Sequence, residues 1–266
     1  MIKYSYCTTI YNSTDTVEEF LSSTAKLLNE ERELVIVDGG SKDGTYQKLI
    51  EMKGFSSNIH VYREHCTRGR GRQIAIEKAD GKTIIMIDAD YKLNNVEKFL
   101  EYFEDNRTDK IILFEPGKMI DGSVLNCVIG LRETFLSVGG YPDLNCAEDI
   151  YFFSVAEKLG RLDTKIIDPF DILPMKIRGK NSGVESRYAL SFIEVVLRRI
   201  KITRDSLFVG KKGYSEICES WGLTGAKKYL IGTPLYTLGK ILKLGIREET
   251  LEKRINRLLS ENNSQH

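Results

Sequence analysis

The chain has 266 residues, of which 41% are hydrophobic and 29% charged, a composition that fits an ordinary globular protein with a sizeable core. Its five cysteines are dispersed, and this fits a reducing cytosol better than a disulfide framework. The N-terminal stretch lacks the apolar core of a signal peptide, and no apolar run reaches the length of a membrane span. We therefore expect a cytoplasmic protein and leave peripheral attachment to a membrane open.

The net charge of +1 hides an uneven distribution along the chain. Residues 176–246 contain 14 Lys and Arg against 5 Asp and Glu, a net charge of +9. Residues 1–175 carry a net charge of −8. An acidic part followed by a basic part often marks a surface that meets a partner.

The first half of the sequence alternates strand-like and helix-like patterns. Short strand–helix–strand units predict an α/β fold with a mostly parallel sheet and helices on both faces. Apolar runs predict strands over 3–10, 33–38, 58–64, 82–87 and 110–115. Apolar residues at helical spacing predict helices over 13–30, with Ser13 or Thr14 as its cap, and over 45–53, 71–80 and 95–105.

The alternation stops in the second half of the chain. A helix with mixed apolar and basic faces is predicted over 186–208, and a charged helix with one apolar face over 247–260. The segment 226–246 between them is apolar and is interrupted by glycines, a proline and lysines. We therefore predict two domains, an α/β domain of residues 1–170 and a helical, basic region of residues 171–266.

Three polar clusters follow predicted strands, at residues 9–12, 38–41 and 88–90. In parallel sheets, ligands bind at the carboxyl ends of the strands. Each cluster alone has the composition of a turn. Together they predict a ligand site along one edge of the sheet.

Asp88 and Asp90 end an apolar run and are separated only by Ala89. Residues two apart in a strand point to the same side, so both carboxylates can face one ligand. Hard oxygen ligands of this kind suit Mg²⁺ or Mn²⁺, and such a cation would also relieve the repulsion between the two acids. The alternative is a pair of turn or capping aspartates.

The glycine-rich stretch 38–45 permits close approach of the backbone to a ligand. Asp38 could accept hydrogen bonds from a nucleobase or a ribose, and Thr45 is a candidate cap for the next helix. The alternative is an ordinary turn between a strand and a helix. The stretch is neither a dinucleotide-binding fingerprint nor a P-loop, because the required glycine and lysine spacings are missing.

Two further groups of charged residues lie at or just before the start of helical patterns. Arg68, Arg70 and Arg72 suit a phosphate or a base edge, and the alternative is a solvated basic loop. Glu148 and Asp149 either complement the helix dipole or supply a general base at the mouth of a cleft.

The order of these motifs resembles that of the family 2 glycosyltransferases of the GT-A fold, which has a Rossmann-like, mostly parallel sheet. The resemblance covers residues 3–165. It rests on "TTIYN" (8–12), "IVDGGSKDGT" (36–45), "GRGRQIAIEKADGKTIIMIDAD" (69–90), "GGYPD" (139–143) and "CAEDIYF" (146–152).

The resemblance implies a nucleotide-sugar donor, a divalent cation and inversion at the anomeric carbon. It assigns Asp88 and Asp90 to the cation, Asp149 to the catalytic base and Glu148 to the acceptor site. The residues that it assigns to the donor are Thr9, Tyr11, Asn12, Asp38, Gly40, Ser41, Arg72, Asp88 and Ala89.

Two positions depart from the family pattern, since Gln73 and Gly39 stand where Asn and a second Asp are frequent. Both departures weaken any prediction of the nucleobase. The Gln-x-x-Arg-Trp signature of processive polysaccharide synthases is absent, which favours transfer of one sugar or a few.

The resulting hypothesis is a metal-dependent inverting glycosyltransferase that uses a UDP- or GDP-sugar and a hydroxyl or lipid-phosphate acceptor. The expected partners are the donor, a glycan or lipid-linked acceptor and, as an open alternative to a solvated helical cap, an anionic membrane surface beside residues 186–246. No nucleic-acid partner is expected. The competing hypothesis is a catalytically silent nucleotide-sugar-binding protein.

Overall fold

The computed structural model falls into two compact units, Met1–Gly140 with Gly160–Lys180 and Tyr141–Leu159 with Asn181–His266. The predicted boundary at residue 170 lies outside the described residues and stays a prediction. The structure describes residues 1–54, 56–92, 96–105, 108–116, 127–167, 175–176, 192–210, 214–215, 218, 232–243 and 248–264.

The first unit is built on β-strands with helices in the connections between them. Its strands are β1 (Tyr4–Ile10), β2 (Arg32–Asp38), β3 (Ile59–Arg63), β4 (Thr83–Met86), β5 (Tyr91–Lys92), β6 (Ile111–Pro116), β7 (Cys127–Leu131), β8 (Leu162–Ile167) and β9 (Met175–Lys176). Its helices are α1 (Val17–Ala25), α2 (Thr45–Lys53), α3 (Arg68–Lys78), α4 (Val96–Asp105) and α5 (Arg132–Ser137).

The main sheet has the strand order β3-β2-β1-β4-β7-β6-β8. Strand β1 pairs in parallel with β2 and with β4, and β2 pairs in parallel with β3. Strand β7 runs antiparallel between β4 and β6, and β8 returns to a parallel pairing with β6. The prediction of a mostly parallel α/β sheet is confirmed.

The core of this unit lies on the sheet and under the helices. Strand residues such as Tyr6, Leu34, Ile36 and Ile85 are fully buried, as expected for parallel strands that are covered on both faces. From α4, Phe103 joins the same apolar cluster. The strands that end at the carboxyl edge are therefore anchored in an apolar core.

Several helix termini differ from the predictions. Helix α1 begins at Val17 and not at 13, because the amides of Thr16 and Val17 both bond to the Ser13 carbonyl in a preceding turn. Helix α3 begins three residues earlier than predicted, because the Thr67 side chain accepts a hydrogen bond from the Arg70 amide. The predicted cap of α2, Thr45, is wrong, since the cap position is the left-handed Gly44.

The second unit is helical, with α6 (Glu148–Lys158), α7 (Phe192–Val209), α8 (Thr233–Lys243) and α9 (Leu251–Asn263). Helices α7 and α8 pack closely at Gly239, where an added Cβ would lie 3.1 Å from the Thr203 side chain. Residues 186–191, 226–231 and 244–247 of the predicted C-terminal elements lie outside the described residues.

Within the described part of the chain, no helix combines the length and the apolar character that crossing a bilayer requires.

Candidate functional site at the carboxyl edge of the sheet

The strand register aligns Ile10, Asp38 and Arg63 side by side at the carboxyl edge. Asp38 is fully buried, and its Oδ2 lies 3.3 Å from the Arg63 Nε. The guanidinium of Arg63 also donates to the Ser41 carbonyl at 3.0 Å and lies over the ring of Tyr46. Sequence reasoning missed Arg63, although its place as the last residue of a strand was the available signal.

The loops after β1 and β2 are joined by hydrogen bonds. The Asn12 amide donates to the Ser41 hydroxyl at 2.8 Å, and the Asn12 side chain accepts from the Lys42 amide at 2.9 Å. Both Asp38 carboxylate oxygens accept from the Ser41 amide at 3.2 Å. Asn12 has the left-handed φ of 47°, which Asn tolerates better than most residues. The two polar clusters predicted at these strand ends therefore lie together.

Gly40 is required by its surroundings. Its φ is +90°, and a Cβ at this position would lie 2.4 Å from the His65 Nδ1. A larger residue would push His65 away from the loop that carries Asp38.

Helix α3 approaches the end of β1 closely at another glycine. A Cβ on Gly71 would lie 2.3 Å from the Thr9 hydroxyl oxygen, which itself donates to the Val37 carbonyl at 3.2 Å. This contact brings the next residue, Arg72, to the sheet edge. Tyr11 lies two residues after Thr9 in the sequence and is 45% exposed.

Arg72 is buried, and its Nη2 donates to the Asp88 Oδ1 at 2.7 Å. The Asp88 side chain remains 29% exposed, so the pair lies at the boundary between core and solvent. Such charge-assisted bonds hold both side chains in one geometry. The structure thus joins two predicted site residues that come from different motifs.

The orientation predicted for Asp88 and Asp90 needs one correction. Strand β4 ends at Met86, and Asp90 lies in a turn, so strand alternation does not set the direction of the two carboxylates. The hydrogen bonding between β1 and β4 does continue one residue further, since the Ile87 amide donates to the Cys7 carbonyl. Ala89 is buried and anchors the turn between the two half-buried acids.

The chemistry of Asp88 and Asp90 fits a divalent cation. Mg²⁺ is usually held by one or two carboxylates together with substrate phosphates, and not by a cage made of protein alone. Among the described residues, no cluster of three or more His, Cys, Asp or Glu residues is found.

Two cysteines near this edge, Cys7 and Cys127, are buried. Burial raises the pKa of the Cys127 thiol to about 12, and the charge of Asp88 adds to the effect. Burial likewise raises the pKa of Cys7 well above its ordinary value. Both thiols are neutral at physiological pH and serve as small apolar core residues.

Glu148 and Asp149 occupy the first turn of α6 in the second unit, where carboxylates complement the helix dipole. Glu148 is fully buried and Asp149 is half-buried. The Asp149 Oδ1 accepts from the Ile150 amide at 2.8 Å. Before them, Ala147 has a φ of 58°, a left-handed conformation that is uncommon for a residue with a side chain.

An open, mostly parallel α/β sheet whose polar residues gather at the carboxyl edge is the architecture of a GT-A nucleotide-binding domain. Residues 5–117 match the family model described as "Glycosyl transferase family 2". The family predicted from the motifs is confirmed.

Two of the curated relatives that match the chain do so over less than half of its length. TuaG of Bacillus subtilis is 31% identical over 102 residues, which are 37% of this chain and 40% of TuaG. The poly(ribitol-phosphate) beta-N-acetylglucosaminyltransferase TarS of Staphylococcus aureus is 27% identical over 124 residues, 44% of this chain and 22% of TarS. The match therefore spans less than half of each relative.

Solved structures share the fold over most of the chain. TarS 1–349 of S. aureus in complex with UDP-GlcNAc has a TM-score of 0.60 at 17% identity, covering 90% of this chain and 79% of that one. The mannosyltransferase PcManGT of Pyrobaculum calidifontis in complex with GDP-Man and Mn²⁺ has a TM-score of 0.54 at 16% identity, covering 99% and 80%. The GT-A fold is confirmed.

Proposed function

We propose that the protein is a metal-dependent, inverting glycosyltransferase that moves a sugar from a UDP- or GDP-sugar to a hydroxyl or lipid-phosphate acceptor. The observation that carries the proposal is the carboxyl edge of the sheet, where Asp38 with Arg63 and Arg72 with Asp88 form two polar anchors. The complexes of TarS with UDP-GlcNAc and of PcManGT with GDP-Man and Mn²⁺ support this choice of ligand class.

The donor binds through residues of the first unit. Asp38 at the end of β2 receives the nucleobase or ribose, with Thr9, Tyr11 and Asn12 along the neighbouring loop. Arg72 holds a positive charge beside the diphosphate, and its bond to Asp88 fixes its direction. A nucleotide bound there can stack on the exposed ring of Tyr11.

Asp88 and Asp90 would hold the divalent cation, with donor phosphates completing its coordination. When bound, the cation offsets the negative charge that grows on the nucleotide diphosphate as it leaves. Arg72 contributes to the same stabilisation from the protein side.

In the transfer step, the acceptor oxygen forms a bond to the anomeric carbon while the bond from that carbon to the diphosphate oxygen breaks. The bonding electrons leave with the diphosphate. Asp149 accepts the proton of an acceptor hydroxyl, and attack from the face opposite the leaving group inverts the anomeric centre. Glu148 supports the acceptor side, and alignment of donor with acceptor contributes much of the rate.

A thermal-shift screen tests the donor class. UDP-, GDP- and dTDP-sugars are added with and without Mn²⁺, because a ligand that binds only the native state raises the melting temperature. We expect one nucleotide series to raise it, and to do so more strongly with Mn²⁺. Failure of every donor to raise it would contradict the proposal. A donor that binds but is neither transferred nor hydrolysed would favour a silent binding protein.

The acceptor side faces a membrane in this proposal. Helix α8 exposes Leu238, Ile241 and Leu242 at spacings of three and four residues, so they share one face of the helix. Lys240 is exposed on the same helix, and residues 176–246 carry a net charge of +9. Exposed apolar residues beside a lysine suit the surface of an anionic bilayer, here the cytoplasmic face.

Co-sedimentation with phosphatidylglycerol vesicles tests the membrane part of the proposal. We expect binding at low salt, and loss of most of it when Ile241 and Leu242 are both replaced by Ser. Leu259→Ser on α9 is the matched control, since Leu259 is an exposed leucine of another helix. No binding by the wild-type protein, or an equal loss in the control, would contradict this part alone.

A further inference from the structure

The segment that leads into α6 is held by an acid on α7 and by another acid just before α9. The Asn145 amide donates to the Asp205 Oδ2 at 2.9 Å, and the Asp143 amide donates to the Glu248 Oε2 at 2.9 Å. The Cys146 amide adds a second backbone hydrogen bond to Asp205. Two carboxylates that are distant in sequence thus fix the backbone of residues 143–146.

The side chain of Asp205 is buried and held by several hydrogen-bond partners. Its side chain is fully buried on α7, and its Oδ1 accepts from the Arg204 Nε at 2.7 Å and lies 2.5 Å from the Arg204 Nη2. Burial raises the pKa of Asp205, while Arg204 and the bonds from the 145–146 backbone act in the opposite direction. A buried acid is expensive unless it is paired, so all of its partners matter.

Glu248 belongs to a second cluster of contacts, which connects the residues around the start of α9 with α6. Its Oε1 pairs with Arg254 at 3.0 Å, and the Arg254 guanidinium lies over the ring of Tyr151 in α6. The Tyr151 hydroxyl donates to the Glu249 carbonyl at 2.9 Å. The residues just before α9 and in its first turn therefore contact both the segment before α6 and α6 itself.

The segment needs such support because of its backbone. Ala147 is left-handed and directly precedes Glu148 and Asp149, and α6 has no side-chain cap of its own. A residue keeps a strained backbone conformation only where contacts with the surrounding structure hold it there. Such strain is often found at functional positions. The bonds to Asp205 and Glu248 supply that constraint on the N-terminal side.

We infer that Asp205 and Glu248 are positioning residues that set the direction of the Asp149 carboxylate by holding residues 143–146. The inference rests on the proposed function, in which Asp149 is the base. It gives the helical C-terminal region a role in turnover that is independent of any acceptor or membrane. Neither residue touches the reacting atoms.

The test combines hydrogen exchange with kinetics on Asp205→Ala, Asp205→Asn and Glu248→Ala in the full chain. Asp205→Ala should speed exchange of the Asn145 and Cys146 amides at least about tenfold, since both lose a buried acceptor. Glu248→Ala should do the same for the Asp143 amide. Glu261→Ala is the control, because Glu261 is an exposed acid of α9 whose ion pair with Arg257 spans one turn of the helix.

The kinetic readout is release of the nucleotide from the donor that the thermal screen selects. Asp205→Ala should lower kcat by about 10- to 100-fold with the donor KM within about twofold, because a misplaced group slows the reaction without weakening donor binding. Asp205→Asn should recover part of kcat, since its amide oxygen can still accept one backbone N–H. If the Asp205→Ala variant does not fold, the Asp205→Asn variant takes its place in both measurements.

Faster exchange with unchanged kcat would overturn the positioning role, and so would unchanged exchange in Asp205→Ala. A parallel rise in donor KM would also overturn it, because the effect would then reach the donor site. Absence of turnover by the wild-type protein with every donor would overturn the proposed function and the catalytic half of this inference. The exchange data alone would still decide whether Asp205 holds the segment.

Discussion

Two pairs of an acid and an arginine define the carboxyl edge of the sheet, and they differ in how a sequence reveals them. Arg72 and Asp88 stand in motifs that could be recognised before the structure was known. Arg63 has no motif, and its bond to Asp38 depends on the register that places β3 beside β2. Local patterns predict which side chains are polar, whereas strand order decides which of them meet.

The Arg72–Asp88 pair gives a prediction at this scale. Arg72→Ala leaves the partly exposed Asp88 without this partner, and we expect a loss of about 1–3 kcal/mol in the free energy of unfolding. Donor affinity should fall by about 10- to 100-fold, because a charge-assisted contact with the diphosphate is lost. Urea unfolding and calorimetric titration measure the two effects.

Arg70→Ala is the matched control for this prediction. Arg70 lies two residues earlier in α3, and its guanidinium forms an exposed pair with Glu77 at 3.3 Å. Exposed pairs contribute little, so its loss should change the free energy of unfolding by no more than about 0.5 kcal/mol. Equal effects of the two substitutions on donor affinity would argue against the assigned role of Arg72.

At the scale of elements, the sequence predicts the strands of the parallel half and α2 well, because long apolar runs and glycine turns mark them. It overextends α1 to residue 30, since Leu27 and Leu28 keep the helical spacing. In the structure these leucines pack on the core from a turn, in which the Leu27 amide bonds to the Thr24 carbonyl. The sequence does not predict the antiparallel strand β7. Its five residues show no alternation of apolar and polar side chains, and such a short run does not indicate the direction of a strand.

The cap of α3 offers a test at this scale, because α3 carries Arg72 to the sheet edge. Thr67→Ala removes the side-chain acceptor of the Arg70 amide at 3.1 Å, and we expect a loss of about 1 kcal/mol in the free energy of unfolding. Thr67→Ser keeps the hydroxyl and should retain most of that stability. If the Ser variant is as unstable as the Ala variant in urea, the hydroxyl is not the cause.

At the scale of the whole molecule, the residues proposed for the donor belong to the first unit and the proposed base belongs to the second. The order of five motifs predicted this chemistry, although the motifs said nothing of the acids on α7 and just before α9 that hold the segment before α6. Those contacts join residues about 60 and 105 positions apart in sequence, a separation that no short pattern encodes.

This division of roles between the units gives a further prediction. Asp149→Asn keeps the shape of the side chain but removes its ability to take a proton, so transfer should fall by at least about 100-fold. Donor affinity should stay within about twofold, because the residues proposed for the donor lie in the other unit. Lost donor affinity in calorimetry would contradict the assignment of Asp149 as the base.

The central claim is that the carboxyl edge binds a nucleotide sugar with the help of a divalent cation. Calorimetric titration of the selected donor into the wild-type protein and Asp90→Ala, each with Mn²⁺ and with a chelator, tests it most directly. We expect Mn²⁺ to tighten donor binding to the wild-type protein by at least about tenfold and to have no effect on Asp90→Ala. Donor binding by the wild-type protein that is unchanged by the chelator, or a metal effect that survives Asp90→Ala, would contradict the claim.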